Sequence, residues 1–159
     1  MGDGLTFELM RADSSDNEAL ATLASQGAAS FGWTAELAVD RRLAQLLRLR
    51  VSQINNCTYC LNRHYQVARD LGIEQAKLDV LTAWWETSLF SPAEQAAISY
   101  TEALTRVSDT TVADRFQDHH DRLTEHFDSA EVLEIIGIVI NMNIWTRLKL
   151  AEGAMPTMS

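Results

Sequence analysis

Along most of this chain, apolar residues recur at spacings of three, four and seven, the period of a helix with one buried face. The pattern is clearest over about residues 35–55. There Leu37, Leu43, Leu46, Leu47, Val51 and Ile54 line one side, and Arg41, Gln45 and Arg48 line a facing polar side. Ser15-Asp16-Asn17-Glu18 has the form of a capping box and predicts a helix that ends near Gly27. Asn55 or Asn56 is placed to cap the next helix, which runs through Cys57 and stops at Gly72. A further helix is predicted over about 74–86. Ser91-Pro92-Ala93-Glu94 combines a cap, a first-turn proline and a box glutamate, so a helix starts there and continues to about Val107. An acidic, histidine-bearing helix follows from about Thr111 to about Phe127, and Ser129 caps a last helix that ends near Glu152 and Gly153.

The β-branched stretch at 135–144 has the composition of a strand. Glu131 and Glu134 before it and Arg147 after it suit the two ends of a helix dipole, so it reads as a buried helix. No period-two run of strand length and no repeat of 20–50 residues is present. The expected fold is all-α: one domain over residues 1–159, built as a helical bundle of about six or seven helices.

Composition narrows the picture. A chain of 159 residues with 2 Pro and 7 Gly is long enough for its own core and poor in helix breakers. With 13 Lys+Arg against 22 Asp+Glu the formal charge is −9, which argues against duplex binding, so no nucleic-acid partner is expected. Two cysteines are too few for a disulfide scaffold. Met1-Gly2-Asp3-Gly4-Leu5-Thr6 fits the loose myristoylation pattern, but no basic patch or second lipidation signal follows, and the match reads as chance. No targeting segment is evident, and the longest apolar stretch falls short of the ~20 residues of a bilayer span. A cytoplasmic protein without a membrane partner is expected.

The chemistry concentrates in Cys57-Thr58-Tyr59-Cys60 with His64 four residues on. On a helix, Cys60 and His64 are i,i+4 neighbours, and Cys57 lies on the same face two turns from His64. Helical side chains lean towards the N-terminus, which aims the imidazole at the Cys60 sulfur. The helix dipole and His64 both favour thiolate, the reactive form, and a second thiol lets an oxidised one resolve as a disulfide. The helix dipole alone favours Cys57 and the histidine spacing favours Cys60. Ordinary core cysteines are a poor reading of a CxxC pair at a capped helix start. A zinc or iron–sulfur site would have three ligands here and would need a fourth from His119, His120 or His126 by tertiary approach. Leu61 after Cys60 excludes haem attachment. The three histidines lie among Asp114, Asp118, Asp121, Glu125 and Asp128 and read as part of a solvated acidic face. Trp84, Trp85 and Trp145 read as core or interface anchors, and Asn143 with Arg147 as a buried polar pair. No G-x-S-x-G and no phosphate loop is present, and neither a cofactor nor a metal is expected.

The stretch Leu49-Arg50-Val51-Ser52-Gln53-Ile54-Asn55-Asn56-Cys57-Thr58-Tyr59-Cys60, followed by His64, resembles the core motif of the alkylhydroperoxidase D-like group of the carboxymuconolactone decarboxylase family. The resemblance continues through Ala83-Trp84-Trp85-Glu86, Phe90-Ser91, Tyr100-Thr101-Glu102-Ala103-Leu104-Thr105, His126-Phe127-Asp128 and Asn143-Ile144-Trp145-Thr146-Arg147-Leu148, about residues 35–150. It implies an alkylhydroperoxidase D-like all-α fold and subunits assembled as a homo-oligomer, a trimer or hexamer. It also implies thiol-dependent peroxidase or disulfide-reductase chemistry on hydroperoxides, with electrons from a lipoylated or thiol protein donor. By the same resemblance Cys60 is the peroxidatic thiol, Cys57 the resolving one and His64 part of a proton relay. The family's relay glutamate falls at Gln45, which hydrogen-bonds but takes no proton at neutral pH. Glu102 is the substitute carboxylate to look for in the fold. Lactone decarboxylation on the same fold, and a non-enzymatic redox-sensing or metal-binding role, stand as the alternatives.

Overall fold

Asn17 opens the first helix, and Ser15 does not. Ser14–Asp16 form a 3-10 turn capped by Asp13, and the Asn17 side chain accepts from Leu20 N–H at 3.0 Å. The structure, a computed structural model, describes residues 11–156, so the myristoylation-like pattern at Met1-Gly2 lies outside the described residues. Helix α1, Glu18–Phe31, runs past Gly27. That glycine is a point of close approach: a Cβ there would collide with Asn141 Oδ1, and one at Gly137 would enter the Phe31 ring. The two glycines let α1 lie directly on the last helix.

Helix α2, Arg41–Ile54, starts six residues after the predicted 35, with Asp40 accepting from Arg42 and Leu43 N–H at 3.0 Å. The segment before it is tied down by Glu134, whose carboxylate accepts from Ala38 and Val39 N–H at 3.0 and 2.9 Å. The larger difference is burial. Every residue from Leu43 to Ser52 is buried, including Gln45, Arg48 and Arg50. The expected polar face of α2 is therefore interior, because the helices Thr58–Asp70, Pro92–Thr105 and Ser129–Glu152 pack around it.

Helix α3, Thr58–Asp70, is capped by neither asparagine. Cys57 takes the cap position, its Sγ accepting from Cys60 N–H at 3.3 Å. Asn56 turns the chain at φ 53°, and Asn55 donates across to Asn143 and Thr146 at 3.0 and 2.9 Å. Gly72 follows at φ 70°, the left-handed conformation predicted for it. Helix α4, Gln75–Val80, gives way to a 3-10 segment, Leu81–Glu86. Helix α5, Pro92–Thr105, has the full Ser91/Glu94 capping box. The predicted helix at 111–127 is two, α6 at Thr110–Ala113 and α7 at Phe116–Thr124. Thr110, Thr111 and Val112 are β-branched, which weakens a helix there. Helix α8, Ser129–Glu152, starts from Asp128 with Glu131 completing the box, and Gly153 closes it at φ 72°.

The described residues thus hold eight α-helices, two 3-10 segments and no strand. The fold class is the expected one, and the count exceeds six or seven through the split at 110–124 and the four-residue α6 it leaves. The main core gathers Leu46, Leu47, Leu49, Leu78, Leu81, Ile98, Leu123, Ile135 and Ile138. At roughly 1.5–3 kcal/mol for each large side chain fully buried, this cluster is the principal stabilising term. A smaller cluster of Val51, Cys57, Cys60, Val139 and Met142 surrounds the cysteines. Helix α8 is long and apolar enough to span a membrane by length and composition, but it packs against α1, α2, α3, α5 and α7.

Candidate active site

Cys57 and Cys60 are joined as a disulfide, Cα to Cα 5.2 Å, across the first turn of α3. Both are buried, and their surroundings differ. Both belong to the small core cluster, and Cys60 also lines a cavity of about 180 Å³ together with His64, Arg48 and Asn141, a lining to which Cys57 does not contribute. An incoming molecule in that cavity meets the sulfur of Cys60. The histidine spacing, and not the helix dipole, picked out the cysteine that the cavity reaches.

Gln45 and His64 meet as sequence spacing could not predict. The Gln45 amide is fully buried; its Nε2 donates to the His64 carbonyl oxygen at 3.0 Å and lies 3.0 Å from His64 Nδ1. Its Oε1 accepts from Arg48 Nη1 at 3.4 Å. This orientation is forced. A flipped amide would set oxygen against the His64 carbonyl and NH2 against a guanidinium. Both Gln45 N–H bonds are then committed, so Nδ1 must accept and the imidazole proton sits on Nε2. Burial, with Arg48 and Arg63 nearby, pushes the His64 pKa down to about 3. His64 is neutral, with its Nε2–H edge left to the cavity.

Arg48 was placed from sequence on the polar side of α2. It is buried, with Nε and Nη2 donating to the Phe31 carbonyl at 3.2 and 2.9 Å and Nη2 to Gly32 at 2.9 Å. Burial, with Arg41 as a lesser cause, brings its pKa down to about 10, so it stays charged. Trp33, Tyr59, Met142 and Trp145 wall the cavity. The Trp33 ring meets His64 edge-on at 5.9 Å. Sequence reasoning gave Trp33, Arg63, Asn141 and Lys149 no role, since they come from three separate elements. The i,i+3 spacing of Gln45 and Arg48 on α2 was the one available signal for that pair.

Glu102 is not brought to this cavity. Its Oε1 pairs with Arg50 Nε at 2.7 Å and accepts from Trp84 Nε1 at 2.9 Å, and the residue lines a second cavity on α5 and α7. His119 is there too, with Nδ1 2.9 Å from Ser99 Oγ. Trp85 is exposed, and Trp145 belongs to the cysteine cavity and not to a core. Arg147 does donate to Asn143 Oδ1, at 2.6 Å, but it is exposed, so the pair expected to be buried is not. No group of three His, Cys, Asp or Glu among the described residues is placed to hold a metal.

Residues 21–103 match the profile of the Carboxymuconolactone decarboxylase family. The uncharacterized protein YdfG of Bacillus subtilis (strain 168) is 31% identical over 121 residues, covering 76% of this chain and 80% of that protein. The uncharacterized protein YnjA of Escherichia coli (strain K12) is 29% identical over 114 residues, 71% of this chain and 60% of that one. Among solved structures, ATU0492 of Agrobacterium tumefaciens, a protein of unknown function named as a candidate antioxidant defence protein AhpD, superposes with a TM-score of 0.75 at 22% identity. The superposition covers 92% of this chain and 94% of that one. The debrominase Bmp8, solved with 2,3,4-tribromopyrrole, superposes at 0.74 with 17% identity over 90% of this chain and 73% of that one. At these identities the two structures establish the fold.

Proposed function

The chain belongs to the carboxymuconolactone decarboxylase family, and from that premise we propose that it is a thiol-dependent oxidoreductase reducing hydroperoxides through Cys60 and Cys57. The observation that carries this reading is the disulfide pair of which Cys60, and not Cys57, lines the cavity beside His64 and Arg48. The debrominase shows that the fold hosts other chemistry. The paired, unequally placed cysteines favour a two-thiol cycle here.

The reduced protein presents the Cys60 thiolate, formed as its proton passes to water under the field of the α3 N-terminus and the Arg48 guanidinium. The thiolate attacks the nearer peroxide oxygen, the O–O bond breaks, and an alkoxide leaves with the bonding pair. His64 Nε2–H hydrogen-bonds the oxygen that gains charge, and water protonates it. Cys60 is now a sulfenic acid. The Cys57 sulfur attacks it, a disulfide forms and water leaves. An external dithiol returns the pair to thiols and becomes a disulfide itself. In this cycle His64 is a hydrogen-bond donor and not the base, because Gln45 fills Nδ1 and holds no proton to relay. Assembly as a trimer or hexamer, a lipoylated or thiol protein as donor, and a cytoplasmic, reducing compartment complete the reading.

One equivalent of hydroperoxide added to the reduced protein should remove two hydrogens from its mass. Cys57→Ser should accumulate sulfenic acid at Cys60, and Cys60→Ser should not react. Thiols that stay reduced in excess hydroperoxide would overturn the proposal.

A further inference from the structure

The cysteine cavity is lined by Arg48, Arg63 and Lys149 and by no aspartate or glutamate, in a chain that carries 22 of them. We infer that the site selects organic hydroperoxides bearing an anionic group at the end away from the O–O bond, an inference that rests on the peroxidase reading above.

The charge is built in two layers. At depth, Arg48 is held by neutral acceptors alone, the Phe31 and Gly32 carbonyls and Gln45 Oε1. Of its five N–H bonds, Nε and Nη2 supply three and Gln45 takes one from Nη1, which leaves one Nη1–H on a cavity-lining residue. This inner cation faces the same space as Cys60 and His64 and serves the reacting atoms. At the mouth, exposed Arg63 sits over the Trp33 ring at 5.7 Å, and Lys149 sits over Tyr59 at 5.1 Å and Trp145 at 5.5 Å. Lys149 also pairs with Glu152 at 2.9 Å, whereas the Arg63 guanidinium lies against the indole.

Between these layers the walls are aromatic and apolar apart from Asn141. A cavity of about 180 Å³ holds the equivalent of about six waters, enough for one small ring or a short branched chain. A hydroperoxide entering with its O–O end towards Cys60 lays its apolar body on Trp33, Tyr59 and Trp145 and brings its far end to Arg63 and Lys149. A carboxylate there gains Arg63 and shares Lys149 with Glu152, and its desolvation is limited because Arg63 is exposed. The net charge of −9 repels anions elsewhere, so attraction at this mouth discriminates.

The test compares cumene hydroperoxide with its para-carboxylate as oxidants of Cys60, read by stopped-flow quenching of the cavity tryptophans. The carboxylate should react roughly fivefold to tenfold faster at low ionic strength, and the ratio should shrink at about 0.15 M salt. The ratio should fall towards one in Arg63→Gln, and the salt dependence provides the same readout without a substitution. Equal rates for the two oxidants, or a ratio untouched by both salt and Arg63→Gln, would overturn the inference. If neither oxidises Cys60, the peroxidase reading fails. Titration with 4-isopropylbenzoate against 4-isopropylbenzyl alcohol then decides the charge preference by itself: tighter binding of the anion supports it, and equal or absent binding rejects it.

Discussion

Two buried arginines two residues apart on α2 meet opposite surroundings. Arg50 lies against the Glu102 carboxylate at 2.7 Å, with Gln53 taking a second bond at 3.1 Å. Arg48, on the other side of the helix, finds two backbone carbonyls and one amide oxygen, all neutral. The first charge is answered within the fold. The second is left over, and it borders the cavity that Cys60 faces. A half-buried ion pair and a buried lone cation therefore mark, on one helix, the structural side and the chemical side of the molecule.

The sharpest way to break this contrast is to remove the anion from the structural side. Glu102→Leu leaves Arg50 buried without a counter-charge and should cost about 3–5 kcal/mol in urea unfolding. The folded fraction should keep its Cys60 oxidation rate within about twofold. A larger loss of rate would bring Glu102 into the chemistry and end the division.

Acid comes next. The folded value of His64 lies near 3 against about 6.5 in an unfolded chain, so the unfolded state binds the proton first. The stability held by neutral His64 is complete above pH 6.5 and drains between 6.5 and 3, at up to ~1.4 kcal/mol per pH unit. His119 in the other cavity is lowered in the same direction, by burial and then by Arg122, and adds to the slope. Unfolding measured through this window should show the loss. Gln45→Glu should flatten it, because a carboxylate accepts a proton-bearing Nδ1 and raises the His64 value. Nitrogen chemical shifts of His64 should report the Nε2–H tautomer in the wild type and Nδ1–H in that variant.

On the chemical side, Arg48→Met removes a cation that has no anion to strand. The Phe31 and Gly32 carbonyls lose their donors, for about 1–3 kcal/mol, less than the Glu102 change. The pH at which Cys60 reaches half its maximal alkylation rate should rise. The smallest effect belongs to Ser99→Ala, which deletes the half-buried bond to His119 at 2.9 Å for about 1 kcal/mol or less.

The helices and the reactive pair were legible in the sequence, and the site around them was not. The Ser91-Pro92-Ala93-Glu94 start and the Gly72 and Gly153 stops were read correctly because caps act within one turn. The start of α1 went wrong at Ser15 because Asn17 competes within the same turn for the same orphan N–H groups. Gly27 was read as a stop although it serves contact with α8, a partner more than a hundred residues away. The burial of the polar side of α2 was not legible, because a periodic pattern shows which residues share a face and not what covers it. Four more residues of the cavity, Trp33, Arg63, Asn141 and Lys149, carried no local signal at all.

The sequence by itself determined that this chain is helical and that Cys57, Cys60 and His64 gather at the start of one helix. Those facts depend on residues within two turns of each other. The tertiary structure decided the rest: that Cys60 and not Cys57 meets the cavity, that Gln45 holds His64 in one tautomer, and that Arg48 keeps an unanswered charge. Burial and long-range pairing set those properties, and both exist only once α1, α2, α3 and α8 have closed around the site.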